Sequence, residues 1–141
     1  MTYFGSFNMN HKNEVRSHYK TFHHIFLYIT ERCQLRCNHC YMGSRLKKET
    51  DLPFDRIVKM LNHCRLLGAE KVTLVGGEPT LHDSLSETVD YAFELGFDKI
   101  YIDTNGLLVE KLKMISPEKI ACIRVSLDGP NAELHEKVRG K

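Results

Sequence analysis

No stretch of the 141-residue chain approaches the roughly 18 consecutive apolar residues that a membrane span requires. No block of one charge sign stands out either. Lysines and arginines (20) nearly balance aspartates and glutamates (18) and are scattered, which argues against a dedicated nucleic-acid face or a polybasic membrane patch. The N-terminus is polar and rich in His and Asn, without the apolar core of a signal peptide. A disulfide framework is missing as well: such frameworks spread their pairs over the chain, whereas three of the five cysteines here fall within residues 33–40. Free thiols packed so closely fit a reducing cytoplasm, which is the expected location. The length suits one domain and is short for two.

What is present is an alternation of short apolar runs with helical patterns. Residues 1–22 show little periodicity and read as a polar leader, and 23–141 read as the folded domain. Ile25 to Ile29 form a continuous β-rich run that ends at Thr30 and delivers the cysteine loop. Pro53 can open a helix whose apolar stripe is Ile57, Leu61, Cys64 and Leu67, with Gly68 as stop signal. Val72–Val75 is a second buried strand, followed by Gly76-Gly77. Leu85, Val89, Ala92 and Phe93 mark a second helix, which His82 opens and Gly96 closes. Ile100–Ile102 is a third strand, Leu107–Ile115 a short helix stopped by Ser116-Pro117, and Ile120–Leu127 a fourth strand. Strands alternating with helices predict an α/β fold with a parallel sheet, either flat and doubly wound or curved as a partial barrel. In both, ligands gather beyond the carboxyl ends of the strands. The cysteine loop, Gly76-Gly77-Glu78-Pro79, Thr104-Asn105-Gly106 and Ser126-Leu127-Asp128-Gly129 all fall on that rim.

Cys33, Cys37 and Cys40 are spaced C-x₃-C-x₂-C in a polar loop. Three thiolates suit an iron–sulfur cluster that wants four ligands and leave one iron open. The competing reading is a structural zinc site that recruits a histidine such as His39, or three unrelated surface cysteines. Zinc sites of the finger type draw on a second Cys or His pair, and the remaining cysteines sit elsewhere, Cys64 on a helical apolar stripe and Cys122 inside a strand. Both read as core or barrel-wall residues. Gly76 and Gly77 permit a sharp turn and close backbone approach to a ligand, and Pro79 restrains Glu78 to an extended conformation. A carboxylate beside exposed carbonyls suits an ammonium group; the plainer alternative is a strand-to-helix turn with an acid in the first helical turn. Along the fourth strand Cys122, Arg124 and Ser126 share one face, and Ile123, Val125 and Leu127 the other. Arg124 and Ser126 either line a cavity or form a local polar pair. Thr104-Asn105 either binds a ligand or makes a plain turn. Asp103 and Asp128 are rim carboxylates that contact substrate or cap helices. His11, His18, His23 and His24 read as solvated residues in or beside the leader.

The cysteine spacing after a first strand and Gly-Gly-Glu-Pro after a second resemble the radical S-adenosylmethionine (radical SAM) superfamily, over about His24 to Gly140. That resemblance implies a [4Fe–4S] cluster on Cys33, Cys37 and Cys40, with S-adenosylmethionine chelating the fourth iron. It implies reductive cleavage of S-adenosylmethionine to a 5′-deoxyadenosyl radical that abstracts hydrogen from a substrate. Carried over by position, the Gly76, Gly77, Glu78 and Pro79 segment receives the methionyl ammonium. Tyr41 and His39 flank cluster and adenine, and His39 stands where the family often has an aromatic. Ser126 contacts the ribose or carboxylate region, and Thr104 and Asn105 are further cofactor contacts. The closing run Ser126-Leu127-Asp128-Gly129-Pro130, His135, Arg139-Gly140 is similar to the branch that modifies peptides and proteins, including sulfatase maturases. There Arg139 pairs with a carboxylate or serves as a helix-end charge. A flavodoxin- or ferredoxin-like electron donor and a peptide or small-molecule substrate follow as expected partners, with no membrane and no nucleic acid.

The family's core is a partial (β/α)₆ barrel, and four βα units are legible here, with a fourth helix only starting at Lys141. The expectation is therefore the N-terminal part of such a core, with an exposed edge on the fourth strand and doubtful activity by itself. Two rivals make other predictions. A non-catalytic cluster and S-adenosylmethionine-binding module or partner subunit predicts cofactor binding without 5′-deoxyadenosine. A small iron–sulfur or zinc protein predicts a metal centre indifferent to the cofactor.

Overall fold

In the computed structural model, residues 23–140 are described. The proposed leader, with His11 and His18, lies outside them. The chain forms β1 (His24–Thr30), α1 (Phe54–Leu66), β2 (Lys71–Gly76), α2 (Leu85–Glu94), β3 (Lys99–Thr104), α3 (Val109–Lys113), β4 (Cys122–Val125) and α4 (Ala132–Arg139). The four strands make one parallel sheet in the order β1-β2-β3-β4.

That order decides between the two α/β architectures. Each strand pairs with the next in sequence, so every crossover steps the same way, and right-handed crossovers then lay the helices on one face. Packing agrees: Leu27 and Ile29, Val72 and Leu74, Ile100 and Ile102 share that face and are buried with Ile57 and Leu61 of α1 and Leu85, Val89 and Ala92 of α2. A doubly wound sheet would need helices on both faces. Instead the fold is a barrel wall of four βα units.

The opposite face, which a closed barrel turns inward, carries Phe26 and Tyr28, Thr73 and Val75, Tyr101 and Asp103, Cys122 and Arg124 in register. The helices end where the glycines stand: Gly68 and Gly96 adopt φ of 94° and 85°, conformations that side chains resist.

Several expectations need correction. The fourth strand is Cys122–Val125 rather than Ile120–Leu127, because a 3-10 turn over Pro117–Lys119 occupies its approach and β3, its partner, ends at Thr104. The third helix begins at Val109, not Leu107, since the Asn105 side chain takes the Leu107 N–H into a turn. A fourth helix does not merely start at Lys141: α4 is complete, with Asn131 capping its first turn and Gly140 (φ 78°) its end. His82 does not open α2, whose N-cap is Ser84. Its buried ring spans the turn, with Nε2 on the Leu52 carbonyl and Nδ1 accepting from Ser84 N–H. His24 is no solvated leader residue but part of β1, stacked on Phe26 and bonded to Thr73. Of the two places expected for Cys122, core or barrel wall, it takes the wall, exposed on the inward face.

Candidate functional site

β1 delivers the cysteine loop through an irregularity. Between Tyr28 and Thr30 the register with β2 shifts, so that Thr30 pairs with Gly76 and the chain turns outward at the rim. There Gly77 N–H donates to the Thr30 carbonyl (2.9 Å) and Glu78 N–H to the Arg32 carbonyl (2.7 Å). The two motifs are thus laced by backbone bonds. This close approach explains the glycines: a Cβ at Gly76 would collide with the Thr30 carbonyl, and one at Gly77 with the Arg32 carbonyl and the Cys33 side chain.

Beyond the lacing, the loop curls. Cys40 N–H donates to the Cys37 carbonyl (3.1 Å) and Gly43 N–H to the Cys40 carbonyl (3.2 Å). Leu35 and Met42 are buried beneath it. Its middle leans on α4: Asn38 donates from its backbone N–H to the Val138 carbonyl (3.0 Å) and from Nδ2 to the Lys137 carbonyl (3.0 Å). These are carbonyls that a helix C-terminus leaves without partners.

One cavity opens on this rim. Cys33, Cys37, Cys40, Tyr41, Gly76, Gly77, Glu78, Thr104, Asn105 and Ser126 all line it, together with His39, Asp103 and Arg139. Of the residues singled out from sequence, Pro79 is set back, buried at the head of a 3-10 turn. Sequence reasoning missed Leu35, Met42 and Val75; the alternation of β2, which places Val75 on the inward face beside Tyr28, was a usable signal for the last.

The polar groups around the cavity are not equally available. Glu78, 1% exposed, accepts on Oε1 from Thr80 N–H (3.0 Å), the Thr80 hydroxyl (2.6 Å) and the Thr104 hydroxyl (2.7 Å), and on Oε2 from Asn105 N–H (2.7 Å). Its carboxylate ties the end of β2 to the end of β3. The Thr104 hydroxyl also accepts from Gly106 N–H, so its proton and one of its two lone pairs are engaged locally. Asn105 Nδ2 is buried without a hydrogen-bond partner, alone in that respect among the described cavity-lining side chains. The Tyr41 hydroxyl donates to the Gly76 carbonyl (3.0 Å) and, desolvated there, its phenol is pushed up to about 12, while the residue as a whole stays exposed with its ring edge-on to Tyr28.

Two ion pairs complete the rim. Arg124 donates to Asp103 (2.6 Å) and to the Thr73 hydroxyl (3.0 Å) and lies over the Tyr101 ring, so its partner is across the sheet and not Ser126. Arg139 bonds Asp128, with His39 3.8 Å from the same carboxylate. The hydrogen bond from Arg139 holds the Asp128 carboxyl below its usual range, with the Arg139 and His39 charges adding. Neither aspartate caps a helix.

The donor chemistry fits an iron–sulfur cluster. All three loop cysteines are free thiols, half-buried on one cavity. Burial pushes the Cys33 thiol up, Leu35 N–H opposes this, and Glu78 and the two neighbouring thiols add to it, so a positive centre is what would favour its thiolate. Three thiols lining one cavity are a donor set that suits an iron–sulfur cluster with one iron left open.

Comparison with known proteins agrees. The chain is 32% identical over 115 residues to Fe-coproporphyrin III synthase of Methanosarcina barkeri, covering 79% of this chain and 28% of that protein. It is 31% identical over 132 residues to the antilisterial bacteriocin subtilosin biosynthesis protein AlbA of Bacillus subtilis, covering 84% and 27%. The crystal structure of Streptococcus suis SuiB bound to precursor peptide SuiA superposes with a TM-score of 0.70 at 25% identity, over 84% of this chain and 27% of that one, and SuiB has also been solved bound to S-adenosylmethionine. The chain thus spans roughly a quarter of the length of these relatives. Members of the family use a [4Fe–4S] cluster and S-adenosylmethionine. Residues 27–141 match the Radical SAM superfamily, and with this fold and this cysteine loop the chain belongs to it.

Proposed function

We propose that this chain forms the cluster- and S-adenosylmethionine-binding part of a radical SAM enzyme acting in the cytoplasm on a peptide or protein, with a flavodoxin- or ferredoxin-like protein as electron donor. The observation that carries the reading is that three free thiols and the Gly76–Glu78 segment line one cavity. When bound, cluster and cofactor together supply a 5′-deoxyadenosyl radical for hydrogen abstraction.

In this reading Cys33, Cys37 and Cys40 hold the cluster. Glu78 acts mainly by shaping its own segment: with its carboxylate occupied by Thr80, Thr104 and Asn105, the methionyl ammonium is received by the segment's carbonyls. Tyr41 steadies the Gly76 carbonyl through its phenol, and its ring flanks the cluster. Asn105 offers an unmet amide, Ser126 a hydroxyl from the end of β4, and Arg139 a guanidinium for a carboxylate. The likeness to SuiB, which was crystallised with its precursor peptide, and to AlbA, named for bacteriocin biosynthesis, favours a peptide substrate.

The test is electron paramagnetic resonance on anaerobically reconstituted, dithionite-reduced protein, with and without S-adenosylmethionine. A [4Fe–4S] signal that shifts on adding the cofactor is expected, abolished by Cys33→Ala, Cys37→Ala or Cys40→Ala and retained in Cys64→Ala. A signal indifferent to the cofactor would instead indicate an electron carrier. Cofactor binding without 5′-deoxyadenosine would indicate a non-catalytic module.

A further inference from the structure

Arg32, immediately before the first cysteine, is bonded to three separate segments. Its backbone N–H donates to the Thr30 hydroxyl (3.0 Å) and its carbonyl accepts from Glu78 N–H (2.7 Å). Its guanidinium forks onto Asp51, Nε to Oδ1 (2.9 Å) and Nη2 to Oδ2 (2.6 Å), and Nη2 also reaches the Leu81 carbonyl. Asp51 is fixed in turn: the Thr30 hydroxyl donates to its Oδ1 (2.6 Å), and residue 51 bridges to Thr30 on the outer side of β1. Arg32 therefore joins the start of the cysteine loop, the segment after it that returns along β1, and the turn that follows Gly-Gly-Glu-Pro.

Neither Arg32 nor Asp51 lines the cavity, so neither is placed to touch a cluster or cofactor. Both side chains are one-third exposed, and an ion pair so solvated contributes little to stability by itself. Its geometry is more specific than stability needs. A planar fork satisfies both carboxylate oxygens and keeps an N–H for the Leu81 carbonyl, which a lysine's single ammonium cannot reproduce.

We infer that Arg32, held by Asp51, is a positioning residue that sets the separation between the cysteine loop and the Gly76–Pro79 segment. The inference rests on the proposed function, because only a ligand that bridges metal centre and segment makes that separation matter. Loss of the fork leaves the three thiols in place but lets the two motifs drift relative to one another.

The experiment uses the full 141-residue chain, reconstituted with ferrous iron and sulfide, as wild type, Arg32→Lys, Arg32→Gln and Asp51→Asn. Iron per chain, melting temperature, affinity for S-adenosylmethionine and the cofactor-induced change in the resonance signal are measured for each. Expected are iron content and cofactor-free spectrum close to wild type in all variants. Affinity for S-adenosylmethionine falls roughly 10- to 100-fold, the range typical for residues that orient ligands from behind, and Arg32→Lys does not rescue it. Unchanged affinity and an unchanged cofactor-induced shift at equal iron content would overturn the assignment. So would loss of iron in step with melting temperature across the variants, which is the behaviour of a merely structural residue. A wild type that loads iron yet ignores the cofactor would bring down the proposed function, and this inference with it.

Discussion

His24 shows what a single inward-facing side chain does on this sheet. Its Nε2 lies 2.7 Å from the Thr73 hydroxyl, and its ring stacks on Phe26 and tilts against Tyr101. Burial, then the charges of Arg124 and Lys71, push its pKa below 6.5, while Asp103 pulls the other way. The neutral ring is therefore favoured in the folded state, and between the lowered pKa and 6.5 the unfolded chain binds more protons. Stability should fall as pH drops from 6.5 through the folded pKa and then level off with respect to this group. Urea unfolding of wild type and His24→Gln between pH 5 and 8 checks it: the substitution should flatten that part of the profile. A slope unchanged by His24→Gln would refute the role given to this ring.

Elements behave differently, because the site lies where their ends meet rather than on any one of them. The β2 end is the tightest such junction, with Gly77 N–H and Glu78 N–H both bonded to the chain that carries Cys33. Gly77→Ala places a methyl against the Arg32 carbonyl and the Cys33 Cβ, and backbone cannot move aside as a flexible side chain would. We expect about 1–3 kcal/mol of destabilisation, in the range of overpacked sites, and a weakened resonance response to S-adenosylmethionine. A fully wild-type response would show that the two motifs tolerate separation. The same junction shows what was legible in the sequence. The alternation of strands and helices, the helices over Ile57–Leu61 and Val89–Ala92, and the gathering of four loops on one rim follow from local periodicity and glycine placement, whereas the strand order, which separates a barrel wall from a doubly wound sheet, does not. The partners of Glu78 do not, because Thr104 and Asn105 lie on the next strand and hydroxyls leave no periodic trace. The seating of α4 on Asn38 joins segments about a hundred residues apart, and the Arg32–Asp51 fork joins two loops without repeating pattern. Such contacts are set by the way the barrel wall brings loops together, which only the tertiary fold reveals.

For the whole molecule the decisive asymmetry is between β1–β3 and β4. Helices α1 and α2 bury the outer face of the first three strands, but α3 has five residues and none is buried. On and after β4, Val125 is 57% and Leu127 74% exposed, and Leu107, Val109 and Met114 on the β3–α3 side are exposed as well. Among the described residues β4 pairs only with β3, leaving one row of backbone groups open next to this apolar surface. An open parallel edge flanked by aliphatic side chains is a template for another strand, and charge is the means by which natural edges are blunted. The chain should therefore self-associate as its concentration rises, and Val125→Lys combined with Leu127→Lys should suppress that. Light scattering over a concentration series would show it, with the unfolding midpoint little changed because both positions are exposed. Association undiminished by the two lysines would place the contact elsewhere. A wild type that stays monomeric throughout would refute the reading of the β4 edge as a template for another strand, since exposed aliphatic side chains and unpaired backbone groups would then not suffice for association.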